Sequence, residues 1–169
     1  RILSLIDKSA CQIPKTRSEA LRHHLWPEYQ KAEVVELESF HDLDVWELVK
    51  RPKDANVIGV RWVYDMKFHK DGSVVRYKAR LVAKGYSQKE GIDYNETFAP
   101  TMGIETARAL LVIAARYDLD VKQYDVSTAF LHADLDDVVY VRQPKGHEVE
   151  GKKDHVYRLN KAMYGLKNA

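Results

Sequence analysis

Residues 60 to 83 alternate with the period of a β-strand on either side of a turn, and this constrains the fold more than any other feature. Val60, Trp62, Tyr64, Met66 and Phe68 are separated by mostly polar partners, and Lys70-Asp71-Gly72 follows. The chain then returns with Val75, Tyr77, Ala79, Leu81 and Ala83 on alternate positions. Side chains on a strand alternate faces, and glycine accepts a positive φ at no steric cost. The stretch therefore predicts a β-hairpin of Val60–Phe68 with Val74–Ala83. The opposite face of the return strand carries Arg76, Lys78 and Arg80, with Lys84 in phase beyond them and Val82 among them. Such a row is either a solvated outer face or a ribbon suited to a triphosphate or a nucleic-acid backbone.

Around the hairpin the pattern is mixed. Trp26-Pro27 opens a helix, because proline is tolerated at a first helical position. Tyr29, Ala32 and Val35 recur at helical spacing up to about Phe40. Residues 45–49 read as a short strand ending at Arg51-Pro52, residues 91–100 as a loop, and residues 104–117 as a helix with Ala107, Leu110, Leu111 and Ala114 on its apolar side. Residues 119–125 read as a strand running into a short helix at 126–131, and residues 138–142 and 155–159 as two more short strands. Strands and helices are interspersed without strict alternation, which predicts an α+β fold. Residues 1–25 show no sustained period and read as a linker or tail, leaving 26–169 as the domain.

Composition narrows the function classes only slightly. The net charge of +2 argues neither for nor against nucleic acid, since distribution matters more than the sum. A single cysteine, Cys11, excludes an internal disulfide. The longest apolar run, residues 109–115, is far short of the roughly 20 residues of a membrane span, so no membrane partner and an intracellular location are expected. The start at Arg1 and the uncapped end at 167–169 lead to the expectation that this is a piece of a longer protein.

Asp125 is the residue on which chemistry turns. A carboxylate before a short helix is explained as an N-cap, or as a ligand to Mg²⁺, which takes one or two carboxylates and fills its shell with water and phosphates. Backbone N–H groups at the following helix start would suit a phosphate. Position alone leaves both readings open.

From about Trp26 onward the chain resembles the copia-type reverse transcriptase domain of long-terminal-repeat retrotransposons. The resemblance is carried by Trp46-Glu-Leu-Val49, Val57-Ile-Gly59, Arg61-Trp-Val63, Asp71-Gly-Ser-Val74 and Arg76-Tyr-Lys-Ala-Arg-Leu-Val-Ala-Lys-Gly-Tyr86. It continues through Gly91-Ile-Asp-Tyr94, Glu96-Thr-Phe98, Asp125-Val126, Ala129-Phe-Leu-His132, Gln143-Pro144, Lys161-Ala162 and Tyr164-Gly-Leu-Lys167. Two positions depart from the family: Ala133, where Gly is usual, and Asn168, where Gln is usual.

The resemblance implies the fingers and part of the palm of a right-hand polymerase that uses deoxynucleoside triphosphates and an RNA or DNA template-primer. It makes Asp125 the first catalytic aspartate, holding two Mg²⁺ ions beside the Val126 carbonyl. Lys78 and Arg80, then Arg76 and Lys84, become the side chains for the incoming triphosphate, with the backbone of Thr128 and Ala129. Phe130 takes the place of the ring that excludes a 2′-hydroxyl. Integrase and RNase H are implied as further parts of the polyprotein, and a cytoplasmic virus-like particle as its location. The second catalytic motif of the family, Tyr-x-Asp-Asp, is absent from the 169 residues, so the stretch alone is expected to be inactive. Asp136-Asp137 follows Leu135 in an acidic loop and is not a substitute. The alternative is a decayed or repurposed copy that only binds nucleic acid. A metabolic nucleotide-binding domain is disfavoured by the absence of any G-x-G-x-x-G or G-x-x-x-x-G-K-[ST].

Overall fold

The computed structural model describes residues 12–95, 97, 102–124, 126 and 128–168. The hairpin forms as the alternation predicts, with β3 spanning Val60–Phe68 and β4 spanning Val74–Ala83. The strands pair antiparallel from Val60 opposite Ala83 to Lys67 opposite Arg76, with a register shift between Lys67 and Phe68. Gly72 takes φ 86° in the turn, and its N–H bonds the His69 carbonyl at 3.0 Å. Trp62, Tyr64, Met66, Ala79, Leu81 and Ala83 are buried on the apolar face.

That face is covered by α2, Trp26–Asp42, which lies against β4. The helix begins at Trp26-Pro27 as expected, but its buried side differs. Tyr29, Glu33 and Phe40 point inward, while Val35 is exposed and Ala32 only partly covered. The inward turn is possible because Glu33 finds polar partners there. Arg17 Nε donates to its carboxylate at 3.1 Å, His147 Nε2 lies 2.7 Å away, and Tyr64 donates its hydroxyl proton. Burial and Glu33 together push the Tyr64 phenol well above its usual pKa. Tyr29 packs edge-on against both Tyr64 and Tyr77, with ring centroids 5.2 and 5.3 Å apart. In the segment expected as a linker or tail, α1 forms at Arg17–Ala20 with Thr16 as its cap, and Ala20 is fully buried.

A second, four-stranded sheet has the order β1-β6-β5-β2, with β1 Trp46–Lys50, β2 Val57–Ile58, β5 Tyr140–Val141 and β6 His155–Leu159. β1 pairs antiparallel with β6, and β5 pairs antiparallel with β6 and parallel with β2. Trp46 stacks on Tyr157 at 4.1 Å between centroids, which fixes the β1–β6 register from the side. The fold is thus mixed α and β with small sheets, in line with the α+β expectation.

Three expected elements are corrected. Residues 119–124 form no strand: Leu119, Val121 and Tyr124 are exposed, and no neighbouring strand among the described residues supplies the hydrogen bonds a strand needs. The strand expected over 138–142 contracts to two residues, because β2, its partner on one side, is itself two residues long. The helix expected over 126–131 is instead a 3-10 turn at Ala129–His132. Thr128, at φ 54° and ψ 34°, is left-handed and interrupts any helix entering from Val126. The helix α3, Ile104–Arg116, forms as expected, but with no buried residue. Cys11 and most of the 96–101 stretch lie outside the described residues.

Candidate functional site

Arg76, Lys78 and Arg80, out of phase with buried Ala79 and Leu81, line a cleft of about 690 Å³ that runs between β4 and α2. One wall of the cleft is α2, through Ala32 and Glu36. The opposite wall is the turn carrying Val126, Thr128, Ala129 and Phe130, with Tyr164 behind it. Two groups of residues named from sequence, far apart along the chain, therefore meet in one place. Lys84 is not among them: it follows the end of β4, its N–H bonds the Gly59 carbonyl at 2.8 Å, and its stem lies against Gly59. Asp125 lies outside the described residues.

The cleft is electropositive. Lys67 stands opposite Arg76 on the paired strand, and Asp65 opposite Lys78. Among the described residues the side chains of Arg76, Lys78 and Arg80 make no hydrogen bond or close ion pair. Burial, helped by Arg80, Arg76 and Lys67, holds the Lys78 ammonium below its usual pKa, with Asp65 acting the other way. An anion entering the cleft would relieve that repulsion.

Glu36 is a cleft residue that sequence reasoning missed. Its Oε1 accepts the Leu81 N–H at 3.1 Å, which ties the outer edge of β4 to α2. Burial raises its pKa, against the Leu81 hydrogen bond and the charges of Arg80 and Lys78. A signal was present: Glu33 and Glu36 are three residues apart on a helix, hence neighbours on its surface. Tyr164 entered the reading only as a motif member. Its ring packs edge-on against Phe130 at 5.6 Å, and burial raises its pKa. Phe130 is 44% exposed, so its ring faces the cleft rather than a closed core.

A second set of motif residues turns out to hold the chain together. Gly165, at φ 87°, lets the backbone pass so close to β4 that the Ala83 N–H bonds the Tyr164 carbonyl at 2.7 Å. A Cβ on Gly165 would come within 2.5 Å of the Ala83 carbonyl oxygen. Lys167 donates to the Tyr94 hydroxyl at 3.0 Å, and buried Asp93 accepts from Lys89 N–H at 2.7 Å and from Asn56. Asp137 accepts from Asn95 at 3.1 Å and from Asn168 at 2.8 Å, a bracing role.

As to metals, no group of three or more His, Cys, Asp or Glu side chains among the described residues could hold an ion. Among them, no helix is long and apolar enough to cross a membrane.

Comparison with known proteins gives a consistent picture. Residues 43–169 match the family model described as reverse transcriptase (RNA-dependent DNA polymerase). The chain is 45% identical over 156 residues to the retrovirus-related Pol polyprotein from transposon TNT 1-94 of Nicotiana tabacum, covering 92% of this chain and 12% of that protein. It is 41% identical over 157 residues to the retrovirus-related Pol polyprotein from transposon RE2 of Arabidopsis thaliana, covering 92% of this chain and 11% of that protein. The corresponding polyprotein from transposon RE1 of the same plant is 40% identical over 157 residues. The chain spans only about an eighth of the length of these relatives, 12% at most. No solved structure matches it.

Proposed function

This chain belongs to the reverse transcriptase (RNA-dependent DNA polymerase) family, and on that premise we propose that its basic cleft receives the incoming deoxynucleoside triphosphate. The supporting observation is the convergence of Arg76, Lys78 and Arg80 with Val126, Thr128, Ala129 and Phe130 around one space of about 690 Å³. Lys78 and Arg80 donate charge-assisted hydrogen bonds to the phosphates. Arg76 adds to the field from the more exposed end of the strand. Glu36 holds β4 so that those cations keep their direction. Phe130, braced by Tyr164, lies where a sugar ring would sit and leaves no room for a 2′-hydroxyl.

The reaction proposed for the longer polyprotein is templated transfer of a nucleotide to a primer 3′-hydroxyl. Mg²⁺, carried over for Asp125 and the Val126 carbonyl, is part of the same proposal. Among the described residues there is no group of three or more His, Cys, Asp or Glu side chains to hold it. The copia type, the template-primer, the integrase and RNase H neighbours and a virus-like particle also belong to this reading. It is supported by the Pol polyprotein relatives.

The test is steady-state kinetics in a Pol polyprotein long enough to polymerise and carrying this segment. Lys78→Ala and Arg80→Ala are each expected to raise the apparent KM for deoxynucleotide, losing roughly 1.5–3 kcal/mol from a charged hydrogen bond. Unchanged KM in both variants returns the basic row to a solvated surface.

A further inference from the structure

A second groove lies apart from the cleft, at one end of the four-stranded sheet. It encloses about 640 Å³ and is lined by Arg51, Arg142, Gln143, Lys153 and His155 among others, sharing no residue with the first. Its three cations come from three separate stretches of chain, and backbone bonds set two of them. The Arg51 N–H donates to the Asp154 carbonyl at 3.0 Å, which places Arg51 beside the turn that carries Lys153. The Arg142 N–H donates to the Ile58 carbonyl at 2.9 Å, holding Arg142 just past the end of β5.

The polar inventory of this groove is lopsided. One oxygen of each of its two carboxylates is held locally: Asp154 Oδ1 lies 2.7 Å from His155 Nδ1, and Glu148 Oε2 accepts the Gly146 N–H at 2.7 Å. The Gln143 side chain is held locally as well, donating to the Lys152 and His155 carbonyls and accepting from the Val149 N–H. The side chains of Arg51, Arg142 and Lys153 make no hydrogen bond or ion pair among the described residues. Three exposed cations without a hydrogen bond or ion pair thus outnumber the two carboxylates that line the groove. That surplus of positive charge attracts anions, and a run of phosphates supplies them.

We infer that this groove is a second binding site, taking the phosphate backbone of a nucleic-acid strand through Arg51, Arg142 and Lys153. The interaction is with backbone, so it is sequence-tolerant and salt-sensitive. It does not depend on the nucleotide cleft, and the two can fail separately.

The experiment measures anisotropy of a labelled oligothymidylate with the full 169-residue chain across a salt series. The Arg51→Gln, Arg142→Gln, Lys153→Gln triple variant is expected to weaken binding and to flatten log Kd against log salt. The slope should fall by roughly 2, at about 0.7 for each single-strand phosphate that is no longer neutralised. Excess deoxynucleoside triphosphate should leave the wild-type signal in place. Should the triple variant fail to fold by circular dichroism, Arg142→Gln alone should still lower the slope by roughly 0.7. Binding and slope unchanged in the variants, loss confined to a Lys78→Gln, Arg80→Gln variant, or no wild-type binding at low salt would each overturn the groove. None of these results bears on the KM test of the cleft, which reads Lys78 and Arg80 alone.

Discussion

The hairpin with α2 and the stretch from Ile104 to Tyr124 are both apolar in sequence, yet they end up in opposite surroundings. In the first, Tyr29, Phe40, Trp62, Leu81 and their neighbours close into one cluster around a fully buried carboxylate. In the second, Leu110 is 54% and Leu111 57% exposed, and Ile104, Ile113, Leu119 and Val121 join them at the surface. Periodicity declares which side of an element needs cover. It does not declare whether the cover lies within the same 169 residues. The hairpin has its cover because α2 packs against β4, whereas α3 meets no packed partner among the described residues.

The contrast can be broken most forcefully at Glu33. Glu33→Ala leaves Arg17, His147 and Tyr64 around a void, and breaking a buried charged cluster costs about 3–5 kcal/mol. Urea unfolding of the chain should show the loss, and a midpoint unmoved from wild type would mean that this cluster does not hold the hairpin body together. Next comes a pair of equal truncations. Leu81→Ala, fully buried, should lose about 2–5 kcal/mol, and Leu111→Ala on α3 should stay within about 0.5 kcal/mol. Similar losses at both positions would erase the distinction between the two regions.

The smallest effect is a pH dependence. Burial raises the Glu36 pKa in the folded chain above its ordinary value of 4.5. A raised acid binds its proton more tightly when folded, so lowering the pH from above the folded pKa down to about the unfolded value adds stability. Glu36→Gln keeps an acceptor for the Leu81 N–H and removes the titration, so the wild-type-minus-variant difference should slope only in that window. A flat difference between the raised value and 4.5 would show that Glu36 titrates as an exposed acid.

Legibility in the sequence followed the same divide. The hairpin was readable to its ends because strand alternation, a turn glycine and a row of cations all agree, and each is a local signal. The inward face of α2 was misread at Val35, since a helix that buries Glu33 depends on Arg17 and His147, 16 and 114 residues away. The strand expected at 119–125 failed for a related reason: its pattern is right, but a strand is made by a partner. At the cleft, the residue types and their order were legible. That Arg76, Lys78 and Arg80 face Phe130 across one space was not, because residues of α2, Ala32 and Glu36 among them, help to form it. The departure of Lys84 from the group is a matter of strand length, as β4 stops at Ala83 and the chain turns.

The central claim is a nucleotide lying between the basic strand and Phe130, and sugar discrimination measures that directly. In a polymerising Pol polyprotein with this segment, the ratio of kcat/KM for deoxyribonucleotide over ribonucleotide is determined for wild type and for Phe130→Ala. Phe130 is 44% exposed toward the cleft, so its truncation should relieve a steric exclusion rather than empty a core. The ratio should fall because ribonucleotide use rises, with deoxyribonucleotide use declining only modestly. An unchanged ratio, with both substrates depressed together, would contradict the placement of the sugar at Phe130 and with it the cleft as the nucleotide site.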